Sequence, residues 1–430
     1  MQVNRYQKAA WIRNTNVYEV NLRQYTPEGT FKAFIKELPR LRDMGVETLW
    51  FMPITPISQM NRKGSLGSYY ACSDYKAVNP EFGTLQDFKD LVDTAHSMGF
   101  KILIDWVANH TGWDHIWTKE HPDFYLADPQ TGTFKMASGM DDIIELNYDN
   151  REMRKAMIDA MEYWVTTCDI DGFRSDLAFW VTLDFWHEAR TALQGKKVLF
   201  WLAEADVLDH PEYLQVFDAA YAWSWMHKTN DFYKQQTGIG ELRDILKRHD
   251  VVCGNESISL WFTSNHDENS WNGTEYEKYG SMVSLLNVFS FTWNGMPLIY
   301  SGQELPNLKR LEFFEKDAIG WNGVYQLHDF YKTLNELNKY NKALLAADES
   351  VSTYLAEVAG SDNVIAYQRK NADDEILVIL NFSNEHVNVE FELVTVSGKY
   401  KNIFTPEENE FSTRVKLTLP AYGYLVYEKR

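Results

Sequence analysis

Three features of the amino-acid sequence predict an α/β protein built as a (β/α)8 TIM barrel, with a short insertion after strand three and a C-terminal all-β sandwich domain. Helix-like and strand-like stretches alternate over residues 1–345. The texture then changes to short alternating strands over residues 346–430. Polar and acidic residues also sit where the apolar strands end, which is where a barrel of this kind keeps its chemistry. A chain of 430 residues is long enough for a large barrel plus an accessory domain.

Taken in order, Asn16 to Asn21 alternates like a strand, and Phe31 to Met44 has helical spacing closed by Gly45 as a C-cap. Val46 to Phe51 is a strand ending at Pro53. The unit repeats with an amphipathic Leu85 to Met98, a capping Gly99 and a nearly continuous apolar strand from Lys101 to Val107. Such strands are expected where helices cover both faces of a parallel sheet. Between Thr111 and Glu145 periodicity is lost and Gly, Pro, Asp and His are frequent, so 111–145 reads as an excursion from the barrel. Met153 to Cys168 is helical and leads into a short buried strand, Ile170 to Arg174. Leu183 to Leu193 is the next helix, and Val198 to Glu204 the next strand. Ala219 to Trp223, Leu260 to Ser264 and Leu298 to Ser301 complete eight strands counted from Val17. Beyond residue 345, Ser352–Ala356, Val364–Gln368, Ile376–Asn381, Val387–Leu393, Val415–Leu419 and Gly423–Glu428 are strand candidates with no long helix among them.

Lys and Arg number 42 against 61 Asp and Glu, a net charge of −19, which argues against a nucleic-acid backbone or an anionic membrane as partner. A neutral substrate fits better. Aromatic residues make up 15% of the chain, more than a core alone requires, and exposed rings stack well on sugar faces. Cys72, Cys168 and Cys253 are widely spaced and odd in number, so free thiols are expected. No apolar run reaches transmembrane length, and the stretch MQVNRYQKAAWIRN lacks the apolar core of a signal peptide. A cytoplasmic monomer is expected, with export left open.

The strand ends supply a site. Asp105 to His110 follows the third strand, Arg174-Ser175-Asp176 the fourth, Glu204 the fifth and Asn265-His266-Asp267 the seventh. The Arg174/Asp176 pair alone reads as a structural ion pair. Four polar strand mouths on one rim read as one cavity. Two carboxylates across an acetal are what glycoside hydrolysis requires, one attacking or activating water and the other protonating the leaving oxygen. A third carboxylate can steady the positive charge that develops. Arg174 beside Asp176 favours the ionised form, while Glu204, after the apolar VLFWLA, is the better candidate for the group that holds a proton. Asp206 is a rival acid, placed past the expected strand end. Among the tryptophans, Trp50, Trp106, Trp201, Trp261 and Trp293 read as core, and about half of Trp113, Trp117, Trp180, Trp223 and Trp225 are expected to line a cleft.

The ordered motifs DWVANH, GFRSD, the isolated Glu204 and SNHD resemble the four characteristic regions of the α-amylase superfamily, glycoside hydrolase family 13. The resemblance runs from about Tyr18 to the final sandwich. It implies Asp176 as nucleophile, Glu204 as general acid/base and Asp267 as the carboxylate gripping the reacting sugar. It also implies that Arg174 orients the nucleophile, that His110 and His266 bind sugar, that Tyr70 stacks under the reacting ring and that Asp105 is its structural neighbour; Tyr69 competes for the stacking role. The implied reaction is cleavage of α-1,4-glucosidic bonds in starch or maltooligosaccharides with retention, an α-glucosidase or α-glucanotransferase being the alternative within the family. A catalytically inactive sugar-binding barrel is the alternative of another class. Calcium-dependent relatives keep Lys-His where this chain has Phe179-Trp180, so no cofactor is expected and calcium is disfavoured, although Asn109 matches a calcium ligand. Ile144-Glu145-Leu146-Asn147 matches neither the α-1,6-glucosidase variant of a further specificity region nor the neopullulanase-like one.

Overall fold

The computed structural model describes residues 6–372, 374–393 and 395–430; the first five residues of the stretch read for a signal peptide lie outside them. Eight parallel strands close into a barrel: β1 (Val17–Val20), β2 (Thr48–Phe51), β3 (Lys101–Trp106), β4 (Gly172–Ser175), β5 (Phe200–Asp206), β6 (Ala219–Tyr221), β7 (Ile258–Trp261) and β8 (Met296–Tyr300). Each pairs with its neighbours in sequence, and β8 closes the ring on β1 with Val17 opposite Leu298. The five tryptophans read as core, Trp50, Trp106, Trp201, Trp261 and Trp293, are all buried.

Local chemistry moves some boundaries. The expected helix Phe31–Met44 is two helices, Phe31–Ile35 and Leu38–Asp43, because Pro39 lacks the N–H that would continue the first ladder and suits the start of the second. The expected strand Leu260–Ser264 lies earlier, at Ile258–Trp261. Strand β5 runs two residues past Glu204, so Asp206 lies inside the strand rather than beyond it. Its Oδ1 accepts from the backbone N–H groups of Leu208 (2.7 Å) and Asp209 (3.2 Å), and its Oδ2 from Ser224 (2.5 Å). Asp206 is therefore a loop-fastening carboxylate, and its oxygens are not available for acid catalysis.

The excursion after β3 is fastened by a small antiparallel ladder, His110–Gly112 against Ile143–Glu145, with His110 opposite Glu145. This ladder carries His110 back over the barrel mouth. Beyond the barrel, a six-stranded antiparallel sheet and a three-stranded sheet pack through Val364, Ala366, Leu377 and Ile379 on one side and Val389, Phe391, Val415 and Leu419 on the other. Two of its strands, Gly398–Asn402 and Glu408–Phe411, were not legible in the sequence, where charged residues mask the alternation.

Candidate active site

Arg174 is the hub of the barrel mouth. Strand β4 carries it fully buried into the centre, where Nη1 donates to Asp105 Oδ1 (3.0 Å) and Asp176 Oδ1 (3.1 Å). Its Nη2 lies 2.9 Å from Glu204 Oε2, its Nε donates to the Tyr221 hydroxyl (3.3 Å) and its plane covers the Trp50 ring at 4.8 Å. One guanidinium thus serves three carboxylates, from the ends of β3, β4 and β5.

That imbalance sets the protonation of the cluster. Burial pushes the Asp105 carboxyl up to about 6 against the pull of Arg174. Burial, and then the charge of Glu204, push Asp176 well above the ordinary carboxylate range, with Arg174 opposing. Arg174 still pulls Asp176 toward its ionised form, as its place two residues away predicts, but the one cation is shared three ways. Directly after Asp176 the backbone of Leu177 turns left-handed (φ +40°), a costly conformation for a branched residue. The turn aims its N–H at Glu204 Oε2, 2.8 Å away.

The opposite wall is organised by His266. Its Nδ1 lies 2.5 Å from Glu19 Oε1, and its Nε2 lies 2.7 Å from the Tyr70 hydroxyl and 3.3 Å from Asp267 Oδ2. Burial opposes a charge on the ring, but Asp267 and Glu19 outweigh it and lift the imidazole to about 9. A cationic His266 donates through both nitrogens, which leaves the Tyr70 hydroxyl free to donate to Asp105 Oδ2 (3.1 Å). His110 is the contrary case: burial lowers it to about 4, so it stays neutral, and its Nε2 has no protein partner among the described residues.

A cavity of about 450 Å³ lies between these walls. Tyr70, His110, Asp176, Glu204 and Asp267 line it, while Asp105, Arg174 and His266 stand one layer behind and orient them. All eight residues singled out in the sequence are brought together. Tyr69 is not among the lining residues: its hydroxyl donates to Asn21 (3.0 Å) and its ring lies under Arg23 (4.1 Å).

Other expectations fail. Trp113, Trp117, Trp180, Trp223 and Trp225 do not line the cavity. Trp117 and Trp225 are buried, Trp113 donates to the Asp141 carbonyl (2.8 Å) and Trp223 stacks on Tyr221 at 5.5 Å. Residues that sequence reasoning missed take their place: Trp271, Phe313, Phe314, Lys63, Met140, Asp142 and Ile143. Lys63 pairs with Asp142 (2.9 Å) and Asp141 (3.1 Å), joining the loop after β2 to the excursion. Only Trp271 had a signal in the sequence, four residues past Asp267.

The family model of the α-amylase catalytic domain matches residues 9–310. The chain belongs to the α-amylase family. A second model, the C-terminal domain of maltogenic amylases, matches residues 357–426. Alpha-amylase MalA of Haloarcula japonica is 27% identical over 425 residues, covering 92% of this chain and 60% of the relative, so the chain spans three fifths of that protein. A cyclomaltodextrinase of Geobacillus thermopakistaniensis is 26% identical, with 93% of this chain and 70% of the relative covered. The maltogenic α-amylase AmyB of Thermotoga neapolitana superposes with a TM-score of 0.88 at 29% identity, over 97% of this chain and 99% of that one. Asn109, which matches a calcium ligand of relatives, turns its amide nitrogen to the His110 ring (3.4 Å), and Phe179 stacks on His210 (4.3 Å).

Proposed function

We propose that this α-amylase-family protein is a retaining glycoside hydrolase that cleaves α-1,4-glucosidic bonds in starch-type glucans and maltooligosaccharides. The observation that carries the reading is that Asp176 and Glu204 bind neighbouring nitrogens of one guanidinium. This arrangement favours the close pair of a retaining enzyme, roughly 5–5.5 Å apart, over the roughly 6.5–9.5 Å of an inverting one.

Each group has a task. Arg174 occupies Asp176 Oδ1, leaving Oδ2 to attack the anomeric carbon. Glu204 Oε2 is held by Arg174 and the Leu177 N–H, so Oε1 carries the proton given to the departing glycosidic oxygen. The products of this step are a glycosyl ester on Asp176 and a Glu204 carboxylate. That carboxylate then takes a proton from water, whose oxygen attacks the anomeric carbon and frees Asp176. Asp267 grips the ring hydroxyls of the reacting sugar, Tyr70 stacks beneath it, neutral His110 presents its Nε2 to a sugar hydroxyl, and cationic His266 holds Tyr70 and Asp267 in position. The presence of all three carboxylates at the cavity opposes a role as an inactive sugar-binding barrel. The maltogenic and cyclomaltodextrin-cleaving relatives support short or cyclic maltooligosaccharides as substrates.

Proton NMR of the first product released from maltoheptaose tests the stereochemistry: the α-anomer is expected, and the β-anomer would overturn the double displacement. Chromatography of the same digest fixes the mode of action, because release of glucose alone would replace the amylase reading with an α-glucosidase.

A further inference from the structure

Trp271 is 52% exposed, although the strand-borne tryptophans of the barrel are buried. An indole left in water forfeits a large apolar burial, so its position calls for a cause. The ring is also firmly held. It sits on the single turn Glu268–Asn272 that leaves β7, and Glu268 pairs with the buried Lys278 (2.8 Å) while accepting from the Asn272 amide (2.8 Å). Asn269 ties the same turn to the loop after β8 in both directions, donating to the Lys309 carbonyl (3.2 Å) and accepting from the Leu311 N–H (2.9 Å). A loose surface ring does not require a buried ion pair and a two-way amide bridge beneath it.

The rings beside it point back to the chemistry. Phe313 lies 5.3 Å from Trp271 and 6.3 Å from Tyr70, nearly parallel to the latter at 17°, and Phe314 lies 5.7 Å from Trp271. All four rings line the cavity that holds Asp176 and Glu204. Aromatic surface therefore runs outward from Tyr70 to solvent. A glucosyl ring offers an apolar C–H face with hydroxyls around its edge, which suits a platform that is dry on its face and wet at its rim.

We propose that Trp271, supported by Phe313 and Phe314, is a stacking platform for a glucosyl unit of the bound chain beyond the reacting one, and so sets chain-length preference. This deepens the α-glucan reading and rests on it for the identity of the ligand. The test is calorimetric titration of maltoheptaose and of maltose into the full-length Asp176→Asn protein, with and without Trp271→Ala. Trp271→Ala should weaken maltoheptaose binding about tenfold and maltose binding by a smaller factor, with Trp271→Phe recovering most of the loss. Equal losses for the two sugars, unchanged affinity or an absence of maltoheptaose binding would overturn the platform. In the folded Trp271→Phe protein, quenching of tryptophan emission by maltoheptaose should shrink, and undiminished quenching counts against the proposal. Because binding is read in a protein without its nucleophile, wild-type protein inert on every α-glucan would sink the hydrolytic reading and leave the platform to be judged by affinity alone.

Discussion

The strand Gly172–Ser175 has an aspartate just beyond each end, and the two are held in opposite ways. Asp171, at the closed bottom of the barrel, meets His96 Nε2 (2.7 Å), Lys101 Nζ (3.2 Å), Lys197 Nζ (3.2 Å) and the Ile102 N–H (3.0 Å). Burial acts to raise it, but these partners outweigh burial and hold the carboxyl at about 2. Asp176, at the open end, shares a single guanidinium with Asp105 and Glu204 and is pushed the other way. A carboxylate with an excess of cations stabilises the fold. One with a deficit of them, facing a cavity, is poised to react. The Arg174/Asp176 pair, bland by itself, is told apart from a structural ion pair by this count of partners.

Changing the open end should produce the largest effect. Asp176→Asn is expected to lower kcat on maltoheptaose by at least roughly 10⁴-fold, on the scale seen when a covalent nucleophile is removed. It should leave the midpoint of thermal unfolding unchanged or higher, because it relieves a crowd of carboxylates. Retained turnover with a lowered midpoint would reverse the assignment of the two ends.

The opposite wall of the same mouth gives an alkaline signature. His266 faces Glu19, Asp267 and the Tyr70 hydroxyl, with Arg174 opposing its charge, and titrates at about 9 rather than near 6.5. A histidine raised in the folded state contributes stability that is fully present below pH 6.5 and lost as pH climbs to 9, here roughly 3 kcal/mol at about 1.36 kcal/mol per unit. Glu19→Gln should flatten that loss. Thermal melts of the two proteins from pH 6 to 9.5 check this, and parallel curves would mean that Glu19 does not hold the proton on His266.

Much of this could be read from the chain, because periodicity and strand-end chemistry are local. The eight strands announce themselves as apolar runs, and Asp105, Arg174, Asp176, Glu204 and Asp267 stand at their ends. What was hidden depends on loops meeting loops. The antiparallel ladder that seats His110 joins residues more than thirty apart, and Lys63, in the loop after β2, pairs with Asp142 in the excursion. Phe313 comes from a stretch without periodicity and is placed by contacts with Trp271 and Tyr70 that no spacing predicts. The cleft tryptophans failed as a group for the same reason: position after a strand says nothing about whether a ring turns outward, like Trp271, or packs inward, like Trp225.

The smallest effect comes from the closed end and would complete the contrast. A carboxyl held at about 2 instead of 3.8 contributes roughly 2 kcal/mol, present above about pH 4 and lost as pH falls through 2. Asp171→Asn keeps the shape and removes the charge, so His96, Lys101 and Lys197 lose their common partner. At pH 7 the variant should melt a few degrees below the wild type, with kcat on maltoheptaose within about twofold of it, since this end of the strand is remote from the cavity. Between pH 5 and 2.5 the wild-type midpoint should fall more steeply, and the two curves should converge, because protonation of Asp171 does to the wild type what the substitution has already done. A constant gap across that range would mean that the loss is one of packing. A catalytic defect approaching that of Asp176→Asn would mean that the two ends of the strand are coupled and that the division between fold and chemistry drawn along it is wrong.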